Sequence, residues 1–166
     1  MTLRQIALFG MLGALTFGTK VAMAVLPNIE PVSLMVILFA VTFGWKALYP
    51  IYVYVAMEIM MYGLGLWNAN YLYVWTILAV AAIALRRLKS PLWWALLSGI
   101  FGLAFGLLCS PVYLVISGFD IRYVIAWWLS GLSFDIFHAV GNFIIALVLF
   151  APLRRLFSVL YSRINR

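Results

Sequence analysis

Residues 32–66 read VSLMVILFAVTFGWKALYPIYVYVAMEIMMYGLGL, with only two charged side chains, Lys46 and Glu58. Residues 32–43 carry no charge at all. Gly44-Trp45-Lys46 closes that run with a turn, and residues 47–66 start a second apolar run. Two apolar runs joined by a short basic turn read as a pair of membrane helices. The first is only about 12 residues long, so it must tilt little, thin the bilayer or sit inside a bundle.

The rest of the chain follows the same pattern. Four further apolar spans flank this pair: 3–26, 71–85, 91–116 and 134–157. The separators have local causes. Pro27-Asn28-Ile29-Glu30-Pro31 sets two prolines and a charge between the first two spans, which stops one helix and starts the next. Gly63 through Asn70 is a break rich in glycine and asparagine. Arg86-Arg87-Leu88-Lys89-Ser90-Pro91 is a basic turn with proline at a helix start. Residues 122–157 would make a helix of about 54 Å at ~1.5 Å per residue, against a hydrocarbon core of ~30 Å. The sequence therefore predicts a break at Ser130-Gly131. Residues 122–129, with Trp127 and Trp128, then lie at the membrane interface.

Composition supports this reading. Of 166 residues, 67% are hydrophobic and 9% charged, against about 25% charge in a soluble domain. Such a chain cannot cover a water-facing surface and is far too apolar to be disordered. The expected class is an all-α integral membrane protein, one domain of six transmembrane helices over residues 1–166. The net charge is +7. With six crossings, Arg4, Lys46, Arg86, Arg87, Lys89, Arg154, Arg155, Arg163 and Arg166 fall on one side with both termini. The positive-inside rule makes that side cytoplasmic. The positive charge is thus a loop collar, and nucleic acid is not an expected partner. Arg4 and Ala22-Met23-Ala24 imitate a cleaved signal peptide, but Lys20 interrupts the apolar run before the cleavage site.

Chemistry is sparse. Gly13 through Lys20 falls short of a phosphate loop, since the order is Gly-Thr-Lys rather than Gly-Lys-Thr. His138 is the one histidine and Cys109 the one cysteine, so paired-histidine metal motifs and an internal disulfide are excluded. No enzyme is expected, and any uphill transport draws on an ion gradient or a nucleotide-hydrolysing partner.

Lys20, Glu58, Asp135 and His138 fall within the spans, where an ionisable group costs several kcal/mol and points to function. Asp135, His138 and Asn142 share one face at i, i+3, i+7. Two readings compete: a Lys20–Asp135 ion pair tying the first and last helices, or the wall of an outward pocket. Aromatic residues gather at the same outer level: Trp67, Tyr71, Tyr73, Trp75, Tyr113, Tyr123, Trp127 and Trp128. They form a lipid-facing belt or line a cavity, with Asn68 and Asn70 adding neutral hydrogen-bonding groups. Gly10, Ala14 and Gly18, beside Ala7 and Gly13, make a small-residue face on the first helix. Ser98, Gly102, Gly106 and Ser110 make another on the fifth. Such faces serve internal packing or a partner.

Together these features resemble the substrate-binding S components of energy-coupling factor vitamin transporters. The resemblance rests on the small-residue first helix, Leu26 through Val32, Gly63-Leu64-Gly65-Leu66-Trp67 with Asn70 through Trp75, and Phe134 through Phe143 followed by Pro152-Leu153-Arg154. It implies six helices with cytoplasmic termini, an outward vitamin pocket, and partnership with a transmembrane coupling subunit and two ATPase subunits. Such proteins are thought to topple in the bacterial cytoplasmic membrane to release cargo. Asn68, Asn70, Tyr71, Trp75, Tyr113, Asp135, His138 and Asn142 are the expected cargo-binding residues. Docking falls to Ala7, Gly10, Ala14 and Gly18, although the family's Ala-x-x-x-Ala contact is replaced here, Met11 following Ala7 by four. No cofactor or metal is implied. The cargo looks most like cobalamin, with pantothenate and a queuosine precursor as alternatives. Outside the family, a proton-coupled transporter using Glu58 or Asp135 and a membrane enzyme using Asp135 and His138 are the competing classes.

Overall fold

The computed structural model describes residues 1–26 and 28–164. Pro27 and Arg166, which enter the helix break and the basic tally above, lie outside the described residues. Helix α1, Leu3–Ala22, starts at a capping box: Thr2 Oγ1 accepts from Gln5 N at 3.3 Å and Gln5 Oε1 accepts from Thr2 N at 3.3 Å. It stops four residues short of the predicted Leu26. Met23 N donates back to the carbonyls of Thr19 and Lys20, and the chain turns there, carrying Glu30 back toward Lys20. Hydropathy continues through Val25 and Leu26, so apolar patterning alone overran the end.

Helices α2, Val32–Phe43, and α3, Leu48–Tyr62, are joined by a 3-10 turn at Gly44–Ala47. Gly44 takes φ +60, a left-handed value that glycine adopts freely. The chain reverses direction here, as the ring contacts record. Phe9, low on α1, meets Phe43 at 5.2 Å and Tyr49 at 6.0 Å. At the other end of α1, Lys20 meets Glu30, just ahead of α2, at 3.8 Å and Glu58 of α3 at 3.0 Å. So α1 and α3 run side by side in one direction and α2 runs against both. Val32 through Ala40 are each at most 5% exposed. A helix apolar all round belongs inside, and α2 is the centre of the bundle.

Helix α4, Leu66–Tyr71, occupies much of what the sequence marks as a glycine–asparagine break, and α5, Val74–Ala84, follows it. Helix α6, Pro91–Leu103, is capped by Ser90, whose Oγ accepts from Leu92 N at 3.3 Å. The predicted span 91–116 is interrupted at Ala104, beyond which α7 runs over Phe105–Ile116. Gly106 donates its N–H across to Asp135 Oδ1 at 3.1 Å, which diverts a helix hydrogen bond at that joint.

Helix α8, Ile121–Ile164, is continuous, contrary to the expected break at Ser130-Gly131. Asp120 Oδ1 caps it, accepting from Arg122 N at 2.9 Å and Tyr123 N at 3.2 Å. Ser130 Oγ donates to Trp127 O at 2.7 Å, so its hydroxyl is satisfied inside the helix. Helix α7 sheathes this part, with Tyr113 stacked on Trp127 at 3.7 Å. The thickness argument failed because α7 and α8 pack on each other as a long hairpin. The segment 122–129 is therefore the first part of α8 and not a separate interfacial piece.

Five helical stretches among the described residues are long and apolar enough to cross a membrane: Leu3–Ala22, Val32–Tyr62, Leu66–Ala84, Pro91–Ile116 and Ile121–Arg163. The second contains the reversal at Gly44. Phe43 touches Phe9 at 5.2 Å and Tyr161 at 4.9 Å, which brings the first turns of α1 and the last turns of α8 to the same end of the bundle. Lys46 is in the turn at that end. Glu30, Glu58 and Asp135 sit toward the opposite end, as does Asp120 at the tip of the α7–α8 hairpin.

Candidate functional site

That opposite end holds a cavity of about 640 Å³. Its walls come from α1, the link before α2, α4, α7 and α8. At its base the Lys20 ammonium donates to Glu58 Oε2 at 3.0 Å, Tyr71 Oη at 3.2 Å and Tyr54 Oη at 3.4 Å. Glu58 is 2% exposed, too deep to remain charged without such a partner. Lys20 pairs with α3 because α1 and α3 run parallel and in register. The predicted Lys20–Asp135 pair is accordingly replaced by Lys20–Glu58, with Glu30 as a second carboxylate at 3.8 Å. Glu30 lies in the link outside the helices. Burial pushes its carboxyl above the usual 4.5 and the Glu58 charge pushes the same way, while Lys20 pulls it down.

Across the cavity, Asp135 and His138 project from one face of α8. Asp135 Oδ1 is held by Gly106 N–H. Its Oδ2 is buried without a well-formed hydrogen bond, although the Trp128 indole stands beside it. His138 Nε2 is likewise buried and unpartnered, and its ring stands edge-on to Phe105 at 5.0 Å. The side walls are aromatic: Trp67 against Tyr71 at 5.3 Å, and the Tyr113–Trp127 stack.

Of the residues expected to bind cargo, Asn70, Tyr71, Tyr113, Asp135 and His138 line this cavity. Three others stand elsewhere. Asn68 accepts from Gly65 N and closes the start of α4. Trp75 is fully buried among Tyr54, Tyr71, Phe101 and Phe105. Asn142 donates to Ser33 Oγ at 2.9 Å and Ser98 O at 3.4 Å, fastening α8 to α2 and α6. Helical spacing put Asn142 on the Asp135 face correctly, but one turn beyond His138, below the cavity.

Sequence reasoning missed Glu30, Phe105, Gly106 and Cys109, all on the wall. Glu30 is flanked by Ile29 and Pro31, and a charge kept in a link between apolar spans was the available signal. Gly106 is small because Asp135 needs the room: a Cβ there would lie 2.5 Å from Asp135 Oδ2.

Ala7, Ala14 and Gly18 are exposed on α1 and Gly10 is partly so, with open space beside both glycines. Gly13 faces inward, where a Cβ would meet Val53 and the Pro50 carbonyl. Within the described residues, groups of three or more His, Cys, Asp or Glu side chains able to hold a metal are absent. No family model, curated protein or solved structure matches this chain.

Proposed function

We propose that this chain is the membrane-embedded, vitamin-binding S component of an energy-coupling factor importer. In this reading it crosses a bacterial cytoplasmic membrane six times, with both termini in the cytoplasm. The observation that carries it is the cavity at the end of the bundle away from the termini, lined by aromatic rings and buried polar groups. A pocket of roughly 300–1,000 Å³ with a few convergent polar groups is the usual form of a small-molecule site. Energy comes from elsewhere: the sequence carries no nucleotide motif, and ATP hydrolysis belongs to two partner ATPases reached through a transmembrane coupling subunit. The outward small-residue face of α1, at Ala7, Gly10, Ala14 and Gly18, is suited to close helix–helix docking with that subunit. The basic residues near the termini fit a cytoplasmic collar. The sequence resemblance leans toward cobalamin as cargo, with pantothenate and a queuosine precursor as the alternatives.

The test is reconstitution in vesicles. The purified chain binds its vitamin without nucleotide, and accumulates it only when the coupling subunit, the ATPases and ATP are present. Gly10→Leu spares binding and stops uptake. Accumulation by the chain alone, driven by a proton gradient, overturns the proposal in favour of a secondary transporter.

A further inference from the structure

The cavity contains one cation and several acceptors, and their states of satisfaction differ. A lysine ammonium has three donors, and all three of Lys20 are engaged, by Glu58, Tyr54 and Tyr71. Lys20 has no donor left for the carboxylate or phosphate of a ligand. The acceptors are the reverse case. Asp135 is 6% exposed and its Oδ2 has no well-formed partner; His138 is 6% exposed and its Nε2 has none. Both are one turn apart on α8 and line the cavity. A buried carboxylate oxygen left unpaired costs more than most single contacts contribute; the Trp128 indole N–H stands beside it, itself without a well-formed partner, so a further donor from the cavity is favoured there. The remaining walls are mostly flat rings, with the neutral side chains of Asn28, Asn70 and Ser130 among them.

We infer that the cavity selects a planar nitrogen heterocycle whose edge presents adjacent N–H donors, an amidine-like edge, to Asp135 Oδ2, with His138 Nε2 beside it. The ring slots between the aromatic walls; since Gly106 N–H already holds Asp135 Oδ1, one donor of the edge meets Oδ2 in a charge-assisted hydrogen bond and its neighbour reaches toward His138 Nε2. Carboxylate-bearing cargo is disfavoured, because it would face Asp135 and Glu30 with no free cation. This assignment deepens the proposed function and rests on the same cavity.

Two probes with one ring system test it: 2,4-diaminoquinazoline, which carries the donor edge, and quinazoline-2,4-dione, which replaces the amines by carbonyls. Binding to the purified full-length chain is followed by tryptophan fluorescence. Alkylation of Cys109 gives a second readout, since it is the one cysteine and lies on the cavity wall. The diamine should bind, slow Cys109 alkylation, and exceed the dione by about tenfold or more, the scale of a lost charge-assisted hydrogen bond. Asp135→Asn should erase that preference. Because the diamine–dione comparison is made in the unaltered protein, a misfolded variant does not decide the matter. Equal binding of the two probes, binding of neither, or tighter binding of pantothenate overturns the inference. Co-purification with the coupling subunit and ATPases is scored separately. Diamine binding without co-purification would sink the transporter reading alone, and co-purification with no donor preference would sink this inference alone.

Discussion

Glu58 lies in the last third of α3 with 2% of its side chain exposed, and Lys20 holds it there. Removing one member of a buried pair strands the other charge, at a cost of roughly 3–5 kcal/mol. Lys20→Met should therefore lower thermal stability in detergent sharply, and adding Glu58→Gln should recover most of the loss. A double variant no more stable than the single one would mean that the pair does not hold α1 to α3. Glu30 makes a separate prediction. Its carboxyl titrates above the usual 4.5 because burial disfavours its charge. The folded state then binds more protons than the unfolded one, so stability is greatest below 4.5 and is lost as pH rises through the raised value. Glu30→Gln should be the more stable protein above that window, and the difference in melting temperature from the parent should shrink toward acid pH. The sequence marked Lys20 and Glu58 as costly in lipid because cost depends only on residue type and depth. It misassigned the partner because pairing depends on which helices run parallel, and nothing local to Lys20 encodes that.

Helix packing turns on a few glycines, and their surroundings differ. A Cβ on Gly102 of α6 would lie 2.9 Å from the Ala139 backbone of α8 and from Asn142 Nδ2. Gly102→Leu should cost at least the ~1–3 kcal/mol typical of overpacking, and should loosen the Asn142 bonds to Ser33 and Ser98. Gly10 has nothing within 4 Å, so Gly10→Leu should leave the melting temperature of the isolated chain unchanged. Equal destabilisation by the two substitutions would show that the α1 face is packed within the protein. Both glycines stand in similar four-residue stripes, and the stripe alone did not separate an internal contact from an outward face. The length of α8 carries a related lesson. The limit of membrane thickness argued for a break at Ser130-Gly131, but the helix runs unbroken because α7 packs along its first part.

At the scale of the molecule, the class was legible from composition: a chain 67% hydrophobic and 9% charged folds into helices, and five stretches among the described residues are long and apolar enough to cross a bilayer. The cavity was legible in part. Asn70, Tyr71, Tyr113, Asp135 and His138 meet on its wall because they stand at one level of the bundle, at the end of α4, late in α7 and about a third of the way along α8; the predicted span starting at 134 put Asp135 and His138 at that level although α8 begins earlier. Glu30, Phe105, Gly106 and Cys109 escaped because the turn after Ala22 and the joint at Ala104 leave weak marks in hydropathy. Under the proposed function, proteoliposomes should show a division of labour: binding by the chain alone, accumulation only with a coupling subunit, ATPases and ATP.

Helix α2 bears on how the protein is made. Its twelve residues reach about 18 Å, well short of a ~30 Å hydrocarbon layer, and its whole circumference is wrapped by neighbours. Such a segment is apolar enough to enter the acyl chains but too short to cross them by itself. Its lasting partners include Asn142 and Phe157 of α8, which emerge from the ribosome more than a hundred residues later. The centre of the bundle is therefore completed only when the last helix arrives, so assembly finishes from the carboxyl end.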